Sequence, residues 1–170
     1  VTGPDGLDTT ASYGIDDVQT TTLPDGTVIT RAEGPDPRFG MIAPVTTSLK
    51  VETAGKTLLV SSSRNVVLAD PNDVTSVATL EEATTVNGRT FTTTFDNTQP
   101  VPTITTVSHA GRTSVTETDP KGRPTKIQIL GQMALEPVRM SYDDGSQNPA
   151  HEGLLRSIVQ GVGGDERRYE

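Results

Sequence analysis

Thr118-Asp119-Pro120-Lys121-Gly122-Arg123, followed closely by Lys126-Ile127-Gln128-Ile129-Leu130, joins a tight turn to a strand. In such a turn the Asp side chain accepts from backbone amides, the glycine takes the left-handed position, and the arginine pairs back to the Asp as the next strand leaves. The alternation that follows places Ile127 and Ile129 on one face of a half-buried antiparallel sheet. The same period recurs in Leu49-Lys50-Val51-Glu52-Thr53, in Thr90-Phe91-Thr92-Thr93-Thr94-Phe95 and in Val138-Arg139-Met140-Ser141-Tyr142.

Between these stretches stand Asp25-Gly26, Asn87-Gly88, Ala110-Gly111, Lys121-Gly122 and Asp144-Gly145, dipeptides that satisfy hairpin turns at low steric cost. Threonine supplies about one residue in six, tryptophan is absent and only 4% of residues are aromatic. That mixture favours strands and turns over helices. The strongest helical stretch, 74–83 with Leu80-Glu81-Glu82-Ala83, has no stop signal and runs into threonines, so a strand through Thr84-Thr85-Val86 is preferred. Gly34-Pro35-Asp36-Pro37-Arg38-Phe39-Gly40 and Asp70-Pro71-Asn72-Asp73 read as long loops or edges, because proline cannot donate to a central ladder. The expected class is all-β: an antiparallel hairpin meander in a curved open sheet.

Composition excludes several functions. With 32% hydrophobic residues, any core is thin. A net charge of −8 with dispersed Lys and Arg lacks the basic footprint that nucleic acid requires. No apolar run approaches the roughly 20 residues that cross a bilayer, so membrane insertion is not expected. Cysteine is absent, which removes disulfides and thiolate sites. The start, VTGPDGLDTT, has neither the basic nor the apolar region of a signal peptide and reads as the interior of something longer.

Gly-Arg or its remnant follows a turn at Asn87-Gly88-Arg89, Ala110-Gly111-Arg112, Lys121-Gly122-Arg123 and Glu152-Gly153-Leu154. Thr118-Asp119-Pro120-Lys121-Gly122-Arg123 is the pattern Tyr-Asp-x-x-Gly-Arg with Thr in the Tyr place. Tyr142-Asp143-Asp144-Gly145 begins that pattern intact, is interrupted by residues 146–152, and resumes at Gly153-Leu154-Leu155-Arg156-Ser157-Ile158, with Val159-Gln160-Gly161 ending the unit. The ordered series, with Gly34 to Gly40, Leu68-Ala69-Asp70-Pro71-Asn72-Asp73, Val86 to Phe91 and Leu135-Glu136-Pro137-Val138, resembles the Rhs/YD-repeat family of bacterial proteins. The resemblance spans most of the chain, from about the Leu23-Pro24-Asp25-Gly26-Thr27-Val28 turn onward. It departs from the family at Thr118 and at Leu154, which stands in an Arg place. The resemblance implies YD-type repeats whose ribbon of strands spirals into a β-shell enclosing a toxin or effector in bacteria. It divides the chain into a polar arm or edge strand over 1–22 and a repeat region over 23–170. It also implies a secreted or cell-surface location. The autoproteolytic Asp segment that closes such shells has no counterpart in the sequence, nor has a toxin domain.

Sharper chemical readings each meet a simpler one. Asp70-Pro71-Asn72-Asp73 offers oxygens to a hard cation but lacks EF-hand spacing, and side-chain to backbone turn bonds explain it. Asp16-Asp17 and Asp143-Asp144 are adjacent, so on a strand they point to opposite faces and cannot flank a glycosidic bond. His109 and His151 lie beside turn signals, and neither Ser108 nor Ser157 sits in a nucleophile elbow. Gly161-Val162-Gly163-Gly164 lacks the Lys-Ser or Lys-Thr of a phosphate loop. Tyr13, Phe39, Phe91, Phe95, Tyr142 and Tyr169 are the only aromatics for a sugar platform, and Phe91 and Phe95 are already committed to one strand face.

No catalytic, cofactor or metal residue is therefore assigned, and the expectation is a non-catalytic wall segment joined to the rest of a parent Rhs-type polypeptide. The alternative is a self-assembling fibre or adhesive module, in which identical subunits pair through strand edges with the arm 1–22 as donor.

Overall fold

A computed structural model describes residues 2, 6–131, 135–161 and 167–169. It is all-β, with every strand antiparallel to its chain neighbours and strand order equal to chain order. The chain divides into two compact units, 1–91 and 92–170.

The first unit holds β1 (Thr10–Tyr13), β2 (Val18–Thr22), β3 (Val28–Asp36), β4 (Gly40–Thr53), β5 (Lys56–Leu68), β6 (Val77–Val86) and the start of β7 (Arg89–Asp96). Register fixes its faces. Ile29 pairs with Val51 and Val51 with Leu58, while Leu49 pairs with Val60 and Val60 with Val86. These aliphatic rows share one face. The other carries Thr20, Thr30 and Lys50 in one row and Ser48, Ser61 and Thr85 in another. The stretch 74–83 forms strand from Val77, as the threonines suggested. The segment 1–22 contributes two ladder strands, β2 being paired with β3 along its whole length.

The second unit continues β7 and adds β8 (Thr103–Val107), β9 (Thr113–Thr118), β10 (Pro124–Leu130), β11 (Leu135–Tyr142), β12 (Leu155–Gln160) and β13 (Arg167–Tyr169), with one 3-10 turn at Pro149–His151. Phe95, Ile104, Thr116, Ile127 and Val138 form a continuous cross-strand row. Met140 and Ile158 are paired on the same side. The opposite face runs Asp96, Thr103, Glu117, Lys126, Arg139, and there Lys126 Nζ meets Glu117 Oε1 at 2.7 Å.

One expectation needs correcting. Of the two readings of 34–40, a long loop or an edge, the loop is not found and the edge is: Gly34, Pro35 and Asp36 belong to β3 beyond the end of its pairing with β2, Gly40 opens β4, and Asp36 pairs with Gly40 across the turn. Proline is tolerated because β2 pairs with β3 only as far as Ala32, and because the β3–β4 register breaks between Gly34 and Asp36.

Two kinds of turn set the meander. At Asp119 the amide donates to the Arg123 carbonyl and the Gly122 amide donates to the Asp119 carbonyl, both at 2.9 Å. This is a type I turn closed by a left-handed residue, Gly122 at φ 77°. Leu23 to Thr27 and Ser108 to Arg112 repeat both bonds. So does Asp143 with Gly153 and Leu154: the Asp143 amide reaches the Leu154 carbonyl and the Gly153 amide reaches the Asp143 carbonyl, each at 2.8 Å. The intervening residues are thus a loop inserted into an otherwise intact turn. Asn87-Gly88 is instead a two-residue turn with both φ values positive, 46° and 80°. Ala54-Gly55 has the same form, at 45° and 74°.

No aliphatic or aromatic side chain is buried among the described residues; the buried side chains are those of Pro137 and of the polar Thr27, Asp36 and Thr118. The chain exposes 11,664 Å². A folded monomer of 18.0 kDa exposes about 8,000 Å².

A left-handed alanine is strained by roughly 1 kcal/mol, and Asn-Gly suits this turn best. Ala54→Asn is therefore expected to raise unfolding free energy by about 1 kcal/mol in a urea titration, with no change in slope.

Candidate functional site

β5 pairs with β6 from Val60 to Leu68, but with β4 only from Lys56 to Ser61. Beyond Ser48, β4 stays with β3 and parts from β5. The parting opens a cleft of about 530 Å³ within the first unit, lined by Val45, Thr46 and Thr47 on one side and Ser62, Ser63 and Arg64 on the other, with Pro35, Glu82 and Thr84. Ser62 Oγ donates to the Thr46 carbonyl where the strands diverge.

A clamp spans this cleft. Arg64 donates from Nη1 to Asp36 Oδ2 at 2.7 Å, and from Nε and Nη2 to Glu82 Oε1 at 2.8 and 2.5 Å. Asp36, only 3% exposed, also accepts from the Arg38 and Phe39 amides at 2.8 and 3.3 Å. The Arg38 amide, above all, holds the Asp36 carboxyl below its ordinary value; burial opposes this and Arg64 reinforces it. Asp36 and then Glu82 push the Arg64 guanidinium up. Arg38 lies 3.6 Å from Asp36 Oδ1 and stacks over the Phe39 ring at 4.8 Å. The arrangement ties the β3–β4 hairpin to β5 and β6 across 28 residues of sequence.

A second network lies in the other unit. Asp119 Oδ1 accepts from the Lys121 and Arg123 amides, both at 2.9 Å, while Oδ2 takes Arg123 Nε at 2.7 Å and Nη2 at 2.6 Å. This two-pronged return of arginine to aspartate is the brace the turn sequence led us to expect. The Arg123 guanidinium then stacks on the Tyr142 ring at 4.3 Å, and the Tyr142 hydroxyl donates to the Pro124 carbonyl at 2.8 Å. The tyrosine that begins one turn unit therefore packs on the arginine that ends the previous one. Thr118, in the Tyr place of the earlier unit, instead turns its hydroxyl to the Pro102 carbonyl.

The remaining candidates stay apart. Asp70 Oδ1 accepts from the Asn72 amide and Asp73 Oδ1 from the Thr75 amide and hydroxyl. Among the described residues no group of three or more His, Cys, Asp or Glu is placed to hold a metal ion. Asp143 and Asp144 each accept from a turn amide, and Asp17 is a left-handed turn residue. His151 Nε2 meets Asn148 Nδ2, Ser108 Oγ accepts from the Arg112 amide, and Ser157 Oγ faces Ser141 Oγ. His109 lies in the 108–112 turn. Tyr13 is 78% exposed and its hydroxyl accepts from Gln19. Residues 162–164 of the glycine run, residues 1 and 3–5 of the arm, and the Tyr169 side chain lie outside the described residues. No helix among the described residues is long and apolar enough to cross a membrane.

Sequence reading missed the Asp36, Arg64 and Glu82 clamp. One signal was present: Arg64 is the single charged residue between Lys56 and Asp70. No protein-family model matches the chain, and no curated protein matches it in sequence.

Asp36→Asn is expected to cost about 1.5–3 kcal/mol, the usual worth of a hydrogen bond to a charged group. Because folding depresses this carboxyl from 3.8, protons favour the unfolded chain. Its stabilisation is intact above about pH 5 and is lost as pH falls through 3.8 toward the folded value, so the variant's stability should fall less steeply on acidification. Urea titrations at stepped pH measure both effects. In the other unit, Arg123→Lys loses the fork and the stack and should lower Tm. Arg112→Lys, whose turn uses Ser108 in place of Asp, should leave Tm close to that of the parent protein.

Proposed function

We propose that the chain is a non-catalytic structural segment of an Rhs/YD-repeat protein, contributing a stretch of wall to a shell that encloses or presents a toxin or effector domain. The observation that carries this reading is the absence of buried aliphatic or aromatic side chains among the described residues, together with an aliphatic face on each unit. A sheet of this kind has one surface that water does not favour and no second layer of its own. The rest of a parent polypeptide supplies that layer, and a secreted or cell-surface setting accompanies the reading.

The turns give further support. Asp119 to Arg123 is braced as Tyr-Asp-x-x-Gly-Arg requires, and Asp143 to Leu154 keeps the backbone bonds of that unit despite its insertion. The ion network at Arg64 is balanced between its own partners and serves as a fastening.

Two measurements test the proposal. Reading the open frame on both sides should reveal further Asp-x-x-Gly-Arg turns at strand spacing; flanks without them would count decisively against it. In the chain itself Ile127 is 37% exposed. Ile127→Thr should then cost less than about 1 kcal/mol and reduce the binding of an anilinonaphthalene sulfonate dye. A loss of about 3 kcal/mol would reveal a closed core and overturn the wall reading.

A further inference from the structure

We infer that the cleft between β4 and β5 is a docking site for an extended, uncharged peptide segment, which adds to β5 as a strand. This goes beyond the wall reading and stands without it.

The inference begins with backbone geometry. The two-residue Ala54-Gly55 turn makes Thr53 and Lys56 a hydrogen-bonded pair, so even-numbered β5 residues direct their backbone groups at β4. Lys56, Leu58 and Val60 find β4 there; Ser62, Arg64, Val66 and Leu68 find no strand on that side among the described residues. Across the cleft the β3–β4 register shifts by one residue between Ala32 and Glu33, so it is Thr46 whose carbonyl is turned to the opening, where it accepts from Ser62 Oγ, while Val45 pairs with Gly34 of β3. Pro44 is the next β4 residue turned that way and has no N–H to donate, so the free ladder groups that an added strand would use are those of β5.

This internal edge differs from the terminal strands. β1 has four residues and β13 three, too short to make an attractive template. The open stretch from Ser62 to Leu68 contains no proline and no glycine. Its one charge, Arg64, is committed to Asp36 and Glu82. The usual protections of an edge are therefore missing.

The surroundings define the occupant. The lining hydroxyls of Thr46, Ser62 and Thr84 suit small polar side chains. The carboxylates of Asp36 and Glu82 are matched by Arg64 and Arg38, so a charged side chain would meet no free counter-ion. Farther along the parted stretches of β4 and β5, Ile42 is 95% exposed, Val67 53% and Met41 47%, so apolar side chains there are left uncovered. Main-chain bonds provide the affinity and side-chain alternation the selectivity, as in other strand additions.

The test uses a capped peptide of alternating Thr and Val, as long as the open edge, titrated into the whole chain by calorimetry. Amide hydrogen exchange is followed in parallel. Saturable binding with new protection at Arg64 and Val66 is expected. The same peptide N-methylated at alternate residues should bind at least tenfold more weakly. Val66→Pro removes a donor that faces the cleft while leaving the β6 ladder intact, and should weaken binding at least tenfold with circular dichroism unchanged. Should that variant fail to fold, the N-methylated peptide decides on the unaltered chain. Absent binding, or equal binding by the methylated peptide, overturns the proposal. Protection of Arg64 and Val66 without peptide would show that the chain's own β4 closes the cleft. A concentration-dependent dimer lost on Val66→Pro would make the occupant a second copy. Either result also overturns it.

Discussion

Hydrogen bonding between neighbouring strands does in this chain what side-chain burial does in most domains. With no apolar side chain fully withdrawn from water among the described residues, each strand depends on the ladder to its two neighbours and on half-burial against them. A ladder bond is worth only about 1 kcal/mol net, and ordering each residue costs as much or more. The balance is favourable only where cross-strand packing adds to the bond, as it does in the rows through Ile29, Val51 and Leu58 and through Ile104, Thr116 and Ile127. Threonine fits this constraint, since its methyl group packs on a pleated surface while its hydroxyl tolerates water.

Such a sheet is vulnerable to slippage, because a shift of one residue would move Ile127 and Ile129 to the charged face. The turns prevent it. In the turns at Asp119 and Asp143, aspartate fixes local amides with its side chain and the left-handed residue fixes the offset between strands. At Arg123 the turn also reaches beyond itself, since the guanidinium bonded to Asp119 is the surface on which Tyr142 rests. Local turn chemistry and coupling between successive hairpins are thus joined in one side chain.

This explains what was legible in the sequence. Alternation and Asp-Gly or Asn-Gly pairs are local signals, and they located the strands around Val51, Phe95, Ile127 and Met140 and the brace at Asp119. The clamp was not legible because its partners are brought together by unequal pairing lengths along β5, a property of three strands at once. The two prolines near Asp36 pointed to a loop or an edge, and the edge forms because β2 ends early enough to leave β3 room for Pro35. Ala54-Gly55 was missed because alanine seldom adopts positive φ. Only the demand of a tight hairpin between β4 and β5 puts it there.

Unequal pairing also explains why the Arg64 clamp is needed. Where β4 leaves β5, the β3–β4 hairpin loses one of its two ladders, and its register is already broken at Gly34. A methyl group at Gly34 would stand 2.8 Å from Thr47 Cγ2, so the hairpin is narrow at this point and cannot widen its side chains to gain packing. Ionic bonds from Asp36 to Arg64, and from Arg64 to Glu82, replace the missing ladder with contacts that reach across the gap. A clamp of this length holds the hairpin in place without closing the strands upon each other. The unpaired backbone of β5 and the fastening of the hairpin are therefore two results of one structural choice, the early end of β4–β5 pairing at Ser48 and Ser61.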